Sequence, residues 1–205
     1  MKTLIAFIFA SLPAFAFAAG GSSVPLDEMK VDLEDTASLQ RGAQLFTNYC
    51  MGCHSTKFAR YNRVARDLGI PEDLMDENLI FAETKIGSLM EIAMRPEDSK
   101  TWFGATPPDL TLVARVRGAD WLYTYLRSFY EDPSRPYGVN NTLFKDVGMP
   151  HVLQELQGTP VKQEVFEERL IDGVMKRISL GEKIVVDGSG ELSEDEYDRA
   201  VLDIT

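Results

Sequence analysis

The sequence predicts a mostly α domain in which helices and long loops surround one cleft, with a small β-hairpin near its end. Apolar residues recur at three- and four-residue steps in several segments, which is the period of amphipathic helices. Two long segments rich in proline and glycine separate these stretches, as expected of loops. The chain is also long enough to fold as one domain with a sizeable core.

The first eighteen residues have the pattern of a secretory signal peptide. Lys2 supplies a positive charge, residues 3–17 are mainly apolar, and Ala16 and Ala18 are small residues where a signal peptidase reads them. An N-terminal membrane anchor is the alternative, but the apolar stretch is shorter than the ~20 residues of a full span. We therefore expect residues 1–18 to be cleaved after export, leaving an extended, poorly ordered arm over residues 19–35.

The first predicted helix ends at the two cysteines. Asp35 or Thr36 can cap it, because either side chain can accept a hydrogen bond from a first-turn N–H. Its apolar positions are Leu39, Ala43, Phe46 and Cys50. A second helix is predicted over residues 72–82, and a loop over residues 95–111.

A third helix is predicted to begin at a cap formed by Asp120 and to end before Pro133. Its apolar side consists of Trp121, Leu122, Tyr125, Leu126 and Phe129. Residues 131–150 then form a second long loop. A structureless loop of this length is unusual in a compact domain, which indicates a functional role.

The C-terminal part is predicted to contain a hairpin and a last helix. Residues 183–191 have the pattern of a small hairpin, whereas the segment that begins at Thr159 fits a helix or a strand. Ser193 and Glu196 have capping-box spacing and open the last helix. These elements together predict one folded domain over residues 36–205.

Residues 50–54 read CMGCH and contain the only two cysteines of the chain. A C-x-x-C-H run is the attachment site of a c-type haem, because each thiol can add to one porphyrin vinyl group and the adjacent histidine can reach the iron. A thioredoxin-like pair normally follows a strand, whereas this run ends a helix. A structural zinc ion would need four ligands and would use both cysteines, His54 and His151. We predict one covalent haem c held by Cys50 and Cys53.

The haem iron has two axial positions, and His54 is predicted to fill the first. Met149 is the favoured second ligand, because a loop residue between Gly148 and Pro150 has no evident packing role and can present its thioether rigidly. A methionine that fills a core gap is the ordinary alternative, and His151 keeps bis-histidine ligation open. Methionine ligation raises the reduction potential and closes the iron, which favours one-electron transfer over oxygen chemistry.

An apolar cleft must enclose the porphyrin, and burial of several hundred Å² contributes on the order of 10 kcal/mol. The candidate walls, several of them equally suited to an ordinary core, are Phe46, Trp102, Phe103, Pro107, Pro108, Leu110, Trp121, Tyr125 and Phe144. Arg115 and Arg117 are the best-placed cations for the anionic haem propionates.

The chain is acidic, with 21 basic and 32 acidic residues and a net charge of −11. This balance disfavours nucleic acid and anionic membrane surfaces, because phosphate contacts need lysine and arginine. It suits a basic protein partner, although it is equally consistent with a role in solubility alone.

Four segments together resemble the cytochrome c1 family, the haem subunit of ubiquinol–cytochrome c reductase (the cytochrome bc1 complex), in its proteobacterial form. They are SLQRGAQLFTNYCMGCHS (38–55), the Pro-Pro-Asp-Leu and Trp-Leu-Tyr region (102–141), GMPHVL (148–153) and ELSEDEYDRAVLDIT (191–205). The resemblance implies the c-type cytochrome fold, Met149 as the sixth ligand, Pro108 in the haem site and Arg117 as the propionate partner.

The resemblance also implies a function and partners. Electrons would pass from a Rieske iron–sulfur protein through this haem to a cytochrome c, at the periplasmic face of the bacterial inner membrane beside cytochrome b. The chain would then be an electron-transfer subunit, with no catalysis of its own. The family has a C-terminal transmembrane anchor, expected after residue 205, so this sequence reads either as a truncated form or as a soluble relative. The alternatives are a free periplasmic monohaem carrier and, less favoured, a haem peroxidase or ligand sensor with an open sixth site.

Overall fold

A computed structural model describes residues 24–205. The predicted signal peptide, residues 1–18, lies outside the described residues. The helices are α1 (Thr36–Leu45), α2 (Tyr61–Asp67), α3 (Glu72–Leu79), α4 (Pro96–Phe103), α5 (Val113–Arg117), α6 (Ala119–Leu126), α7 (Gln154–Gln157) and α8 (Glu194–Ile204). The strands are β1 (Thr56–Arg60), β2 (Leu89–Met90), β3 (Phe129–Glu131), β4 (Val139–Asn141), β5 (Pro160–Ile171) and β6 (Val174–Val186).

The strands form three antiparallel pairs, β1 with β2, β3 with β4 and β5 with β6. Helices account for 36% of the structure and strands for 21%, so the prediction of a mostly α fold is confirmed only in part. Most of the strand content comes from the long β5–β6 hairpin. None of the helices within residues 24–205 combines the length and apolar character that a bilayer-crossing helix needs.

Helices α1 and α8 cross closely at Gly42. A Cβ atom at Gly42 would overlap the backbone carbonyl of Asp203, so only glycine allows this approach. The Asp203 carboxylate accepts hydrogen bonds from Arg41 Nε at 2.6 Å and from the Ser38 hydroxyl. Asp35 is the α1 cap, since its side chain accepts from the Ser38 N–H. The terminal helices are therefore fixed to each other by packing and by charge.

The capping box that opens α8 is confirmed. The Ser193 N–H donates to the Glu196 carboxylate at 3.0 Å, and the two residues satisfy first-turn groups reciprocally. Tyr197 and Val201, on the apolar side of this helix, are almost completely buried. The sequence pattern therefore located this helix correctly.

The N-terminal arm over residues 24–35 lies against α6. The Met29 N–H donates to the Asp120 carboxylate at 2.8 Å, and the Asp27 N–H donates to the Thr124 hydroxyl at 2.8 Å. The predicted cap role of Asp120 is wrong: α6 begins one residue earlier, with Gly118 at the N-cap and no side-chain cap bond. Asp120 is instead engaged by the arm.

Two loop predictions are wrong in part. Residues 95–111 contain α4, which begins with Pro96 in its first turn and ends at Gly104 in a left-handed conformation. Residues 131–150 contain β4, whose partner β3 includes Phe129. The helix predicted to reach Phe129 therefore ends at Leu126, because the chain turns there into the sheet. Helix α3 begins where predicted and ends three residues before residue 82.

The prediction of a hairpin over residues 183–191 is wrong in position. Strands β5 and β6 pair from Pro160–Val186 to Ile171–Val174, and residues 187–193 only return the chain to α8. Asp172 and Gly173 both have positive φ, as the central positions of a type I′ turn require. The Asp-Gly pair was the available signal, but the flanking residues do not alternate between apolar and polar side chains.

Asp187 joins the base of this hairpin to the rest of the chain. Its carboxylate accepts hydrogen bonds from the Thr159 N–H, the Ser189 N–H and the Ser189 hydroxyl. The side-chain bond from Ser189, with the backbone bonds, lowers the pKa of Asp187 to about 2. Since the unfolded pKa is higher, this carboxylate stabilises the fold fully above pH ~4. That contribution is lost as the pH falls towards 2.

We therefore expect Asp187→Asn to be less stable than the parent at pH 7, and the difference to shrink as the pH falls from 4 to 2. Denaturant titrations of both proteins across that interval measure the difference directly. A difference that stayed constant down to pH 2 would contradict the assignment of the stabilisation to the ionised carboxylate.

Three apolar clusters form the core of the described part. One surrounds Tyr61 and Met75 between α2 and α3, a second surrounds Tyr125 and Phe129, and a third joins Leu153 to α8. The cleft described below is lined by members or neighbours of all three clusters. The fold thus places the cleft where these packed groups meet.

Candidate haem site

The two cysteines lie on a wide turn that follows α1. Residues Phe46–Cys50 continue α1 as a π-helical turn, in which the Met51 N–H donates to the Phe46 carbonyl at 3.1 Å. Such turns are frequent at functional sites. The His54 N–H then donates to the Cys50 carbonyl at 2.9 Å. This turn brings Cys50, Cys53 and His54 to one side of the cleft.

Both thiols are free and partly buried. Burial raises the pKa of Cys50 to about 12, with a smaller contribution from Cys53, and burial also raises the pKa of Cys53. The thiols therefore stay protonated at neutral pH. A dithiol that exchanges disulfides depends on a lowered pKa, so this environment argues against a thioredoxin-like role.

His54 is oriented by the loop that precedes α5. Its side chain is buried, and Nδ1 lies 2.7 Å from the Pro108 carbonyl oxygen, to which it donates. This hydrogen bond leaves Nε2 as the ring nitrogen that can bind a metal. A ligating histidine commonly donates its other ring N–H to a carbonyl in this way, which fixes the ring orientation.

The cleft has a volume of about 540 Å³ and an almost wholly apolar lining. This volume is within the range of ~300–1,000 Å³ that is usual for ligand and cofactor sites. Eight of the nine predicted wall residues line it. Trp102 is the exception, since it is largely exposed and borders a smaller neighbouring cavity. Residues that the sequence analysis did not predict as walls also contribute, among them Tyr49, Val113 and Ile204.

The two candidates for the second iron ligand differ in their position relative to the cleft. Met149 lines the cleft, and its Sδ accepts a hydrogen bond from the Tyr125 hydroxyl at 3.4 Å. His151 does not line it: the ring stacks on Phe129 at 4.8 Å, and Nε2 lies 2.7 Å from Gln157 Oε1. Burial lowers the pKa of His151 to about 4, so the ring is neutral at pH 7. Nε2 of His151 thus already has a hydrogen-bond partner in Gln157, and His151 is not among the residues that line the cleft.

The two predicted propionate partners also differ in position. Arg117 borders the cleft, with its guanidinium carbon 4.8 Å from the centre of the Trp121 ring. Arg115 does not line the cleft and is exposed. Pro108 takes part twice, as a wall residue and through the carbonyl that orients His54.

Arg135 is a residue that sequence reasoning missed. Its Nη2 donates to the Asp146 carbonyl at 2.9 Å, which braces the loop just before Met149. Its Nε is buried and has no partner among the described residues. Arg135 borders a cavity of about 210 Å³ that shares Phe103, Val147 and Gly148 with the larger cleft. An arginine in a proline-rich loop gave no signal of this role.

These residues fit a covalent haem c. Two unpaired thiols, an oriented histidine nitrogen and a thioether from a separate loop border one apolar cleft. Within residues 24–205, no three or more His, Cys, Asp or Glu side chains are grouped so that they could hold a metal ion. A thioether is not among the usual ligands of zinc, so this donor set suits a haem better than a structural zinc ion.

Comparisons with known proteins agree with this chemistry. A family model described as "Cytochrome C1 family" matches residues 28–91. The chain is 50% identical to "Cytochrome c1" of Allochromatium vinosum over 205 residues, which is all of this chain and 82% of that protein. It is 43% identical to "Ammonia monooxygenase gamma subunit" of Nitrosomonas europaea over 94% of this chain and 76% of that protein. "Cytochrome c1" of Rhodospirillum rubrum is more distant, at 28% identity over half of this chain and 44% of its own length.

Proposed function

Because this chain belongs to the cytochrome c1 family, we propose that it relays single electrons as the haem subunit of a ubiquinol–cytochrome c reductase. The proposal rests on one observation. The turn at residues 50–54 and Met149, which comes from another loop, border the same cleft. Bound haem c supplies a one-electron iron couple. The chain is an electron-transfer subunit and not a catalyst on its own.

Each residue of the site has a defined task in this proposal. Cys50 and Cys53 hold the porphyrin through two thioether bonds. His54 provides Nε2, and the Pro108 carbonyl fixes its orientation through Nδ1–H. Met149 would supply a thioether sulfur to the iron, and this weak donor would favour the reduced state and raise the potential. Arg117, at the border of the cleft, pairs with a propionate.

The side chains around the site suit electron transfer better than chemistry on a bound substrate. If His54 and Met149 both bind the iron, they would leave no open site on it for peroxide or a gas. The apolar walls also exclude water, so the charge on the iron changes in surroundings that reorganise little. This supports an electron relay over a haem peroxidase or a ligand sensor.

The partners we propose are a Rieske iron–sulfur protein as donor, cytochrome b as neighbouring subunit and a cytochrome c as acceptor. The net charge of −11 suits recognition of a basic acceptor, since complementary charge speeds the encounter. The site of action is the periplasmic face of the bacterial inner membrane. Residues 1–18 serve as the export signal, and residues 36–205 form the haem domain.

The relative named as an ammonia monooxygenase gamma subunit favours a second candidate function. Its similarity extends over nearly the whole of this chain. On this reading, the same haem domain transfers electrons within a different oxidoreductase. A free periplasmic carrier is the remaining alternative.

Purification of the tagged chain from detergent-solubilised membranes distinguishes these possibilities. We expect a Rieske protein and cytochrome b to co-purify and the preparation to reduce cytochrome c with quinol. A variant with Cys50→Ala and Cys53→Ala should lose covalent haem and this activity. Recovery with the subunits of another oxidoreductase would favour the second candidate, and recovery alone from the soluble periplasmic fraction would favour the free carrier.

A further inference from the structure

We propose that Tyr125 is a positioning residue whose hydroxyl holds the Met149 thioether and raises the reduction potential of the haem. The inference rests on the proposed function, with Met149 as an axial ligand. Its basis is the hydrogen bond from the Tyr125 hydroxyl to Met149 Sδ, at 3.4 Å. The sequence indicated Tyr125 only as an apolar position of the third predicted helix and as a wall of the cleft.

The surroundings of the hydroxyl make this bond persistent. Tyr125 is almost completely buried, and Met149 Sδ is the acceptor for its hydroxyl. A buried hydroxyl that lost its acceptor would carry an uncompensated desolvation cost.

Aromatic neighbours fix the direction in which the hydroxyl points. The Tyr125 ring stacks on Trp121 at 4.9 Å with an interplanar angle of 10°, and it meets Phe129 edge-on at 5.3 Å. Phe144 contacts it edge-on at 6.5 Å. The Asn141 side chain also donates to the Tyr125 carbonyl at 2.9 Å. A phenylalanine at position 125 would retain all of these contacts and lose only the hydroxyl.

The hydrogen bond changes the electronics of the ligand. A thioether sulfur has two lone pairs, so it can bind a metal and accept a hydrogen bond at the same time. The donated proton withdraws electron density from sulfur and makes it a poorer donor to ferric iron. Reduced iron is thereby favoured. A bond of ordinary strength corresponds to about a two- to tenfold change in the reduction equilibrium.

The test is Tyr125→Phe in the haem-loaded protein, followed by spectroelectrochemical titration. We expect the reduction equilibrium to fall about two- to tenfold, which is about 20–60 mV at 59 mV per decade. The methionine-ligated low-spin spectrum and the thermal midpoint should be retained. Tyr123→Phe is the matched control. Tyr123 lies on the same helix outside the cleft, against Arg127 at 4.5 Å, and its change should leave the potential unaltered.

A double-mutant comparison separates the bond from general effects of polarity. In a Met149→Leu background no sulfur remains to accept the bond, so Tyr125→Phe should shift the potential by less than half as much. An equal shift in both backgrounds would overturn the proposal, as would an unchanged potential in the single variant. The premise that Met149 is a ligand fails separately, if Met149→Leu itself leaves the spectrum unchanged. The proposed function fails separately again, if no Rieske protein or cytochrome b co-purifies with the parent chain.

Discussion

Replacing Met149 by leucine is expected to abolish the methionine-ligated low-spin spectrum and to lower the reduction potential by a few hundred millivolts. Leucine has nearly the same volume but offers no donor atom to the iron. Axial ligands set haem potentials over roughly 0.8 V, so the loss of one of them is a large effect. Optical spectra of both oxidation states and a potentiometric titration measure the two outcomes.

The matched control for this change is Met75→Leu. Met75 is fully buried between α2 and α3, away from the cleft. A methionine-to-leucine exchange in a core costs less than about 1.5 kcal/mol, so this variant should fold with an unaltered spectrum. If Met149→Leu also kept the parent spectrum, Met149 would not be the ligand. His151 would then be implicated, and its bond to Gln157 would have to break on haem binding.

The sequence predicted one side of the candidate site better than the other. Haem attachment needs two thiols and a histidine at fixed spacing, and such a requirement is readable in residues 50–54. Met149 and His151 lie two residues apart, and the sequence favoured Met149 through its Gly148 and Pro150 neighbours and through the family resemblance. Packing supports that choice, because it places the His151 ring on Phe129 and leaves Met149 on the cleft.

The hydrogen bonds that Tyr125 and Arg135 make near Met149 could not be predicted from the sequence, for a related reason. One contact forms only when α6 packs against Met149, and the other only when the loop after β3 packs against Asp146. Neither is encoded by spacing along the chain. A tyrosine on the apolar side of a helix looks like core, and an arginine between prolines looks like surface.

The incorrect predictions of secondary structure had a different physical origin. Proline and glycine in residues 95–111 suggested a continuous loop, but Pro96 and Gly104 are the start and stop of α4. The β5–β6 hairpin was missed because most of its side chains are exposed on both faces. Such strands need no alternation of apolar and polar residues, so the pattern on which strand prediction depends was absent.

Gly42→Ala is expected to destabilise the protein by about 3 kcal/mol or more. In an exposed helix interior, this exchange stabilises by about 1 kcal/mol, because alanine has the higher helix propensity. Here the new Cβ would overlap the backbone carbonyl of Asp203, which cannot move as a flexible side chain can. Overpacking typically costs about 1–3 kcal/mol, and a clash with backbone lies at or above that range. The clash should therefore outweigh the gain in helix propensity and lower the free energy of unfolding. Denaturant titration measures that change.

The same substitution links the helix crossing to the haem cleft. Asp203 is followed by Ile204 and Thr205, both of which line the cleft, so displacement of α8 changes the walls around the haem. We expect Gly42→Ala to alter the potential and the spectrum as well as the stability. Gly87→Ala is the control, because a Cβ there meets nothing within 4 Å and the backbone is unstrained. Equal stabilities for the two variants would show that α8 can shift without cost, and the close crossing would then have no structural role.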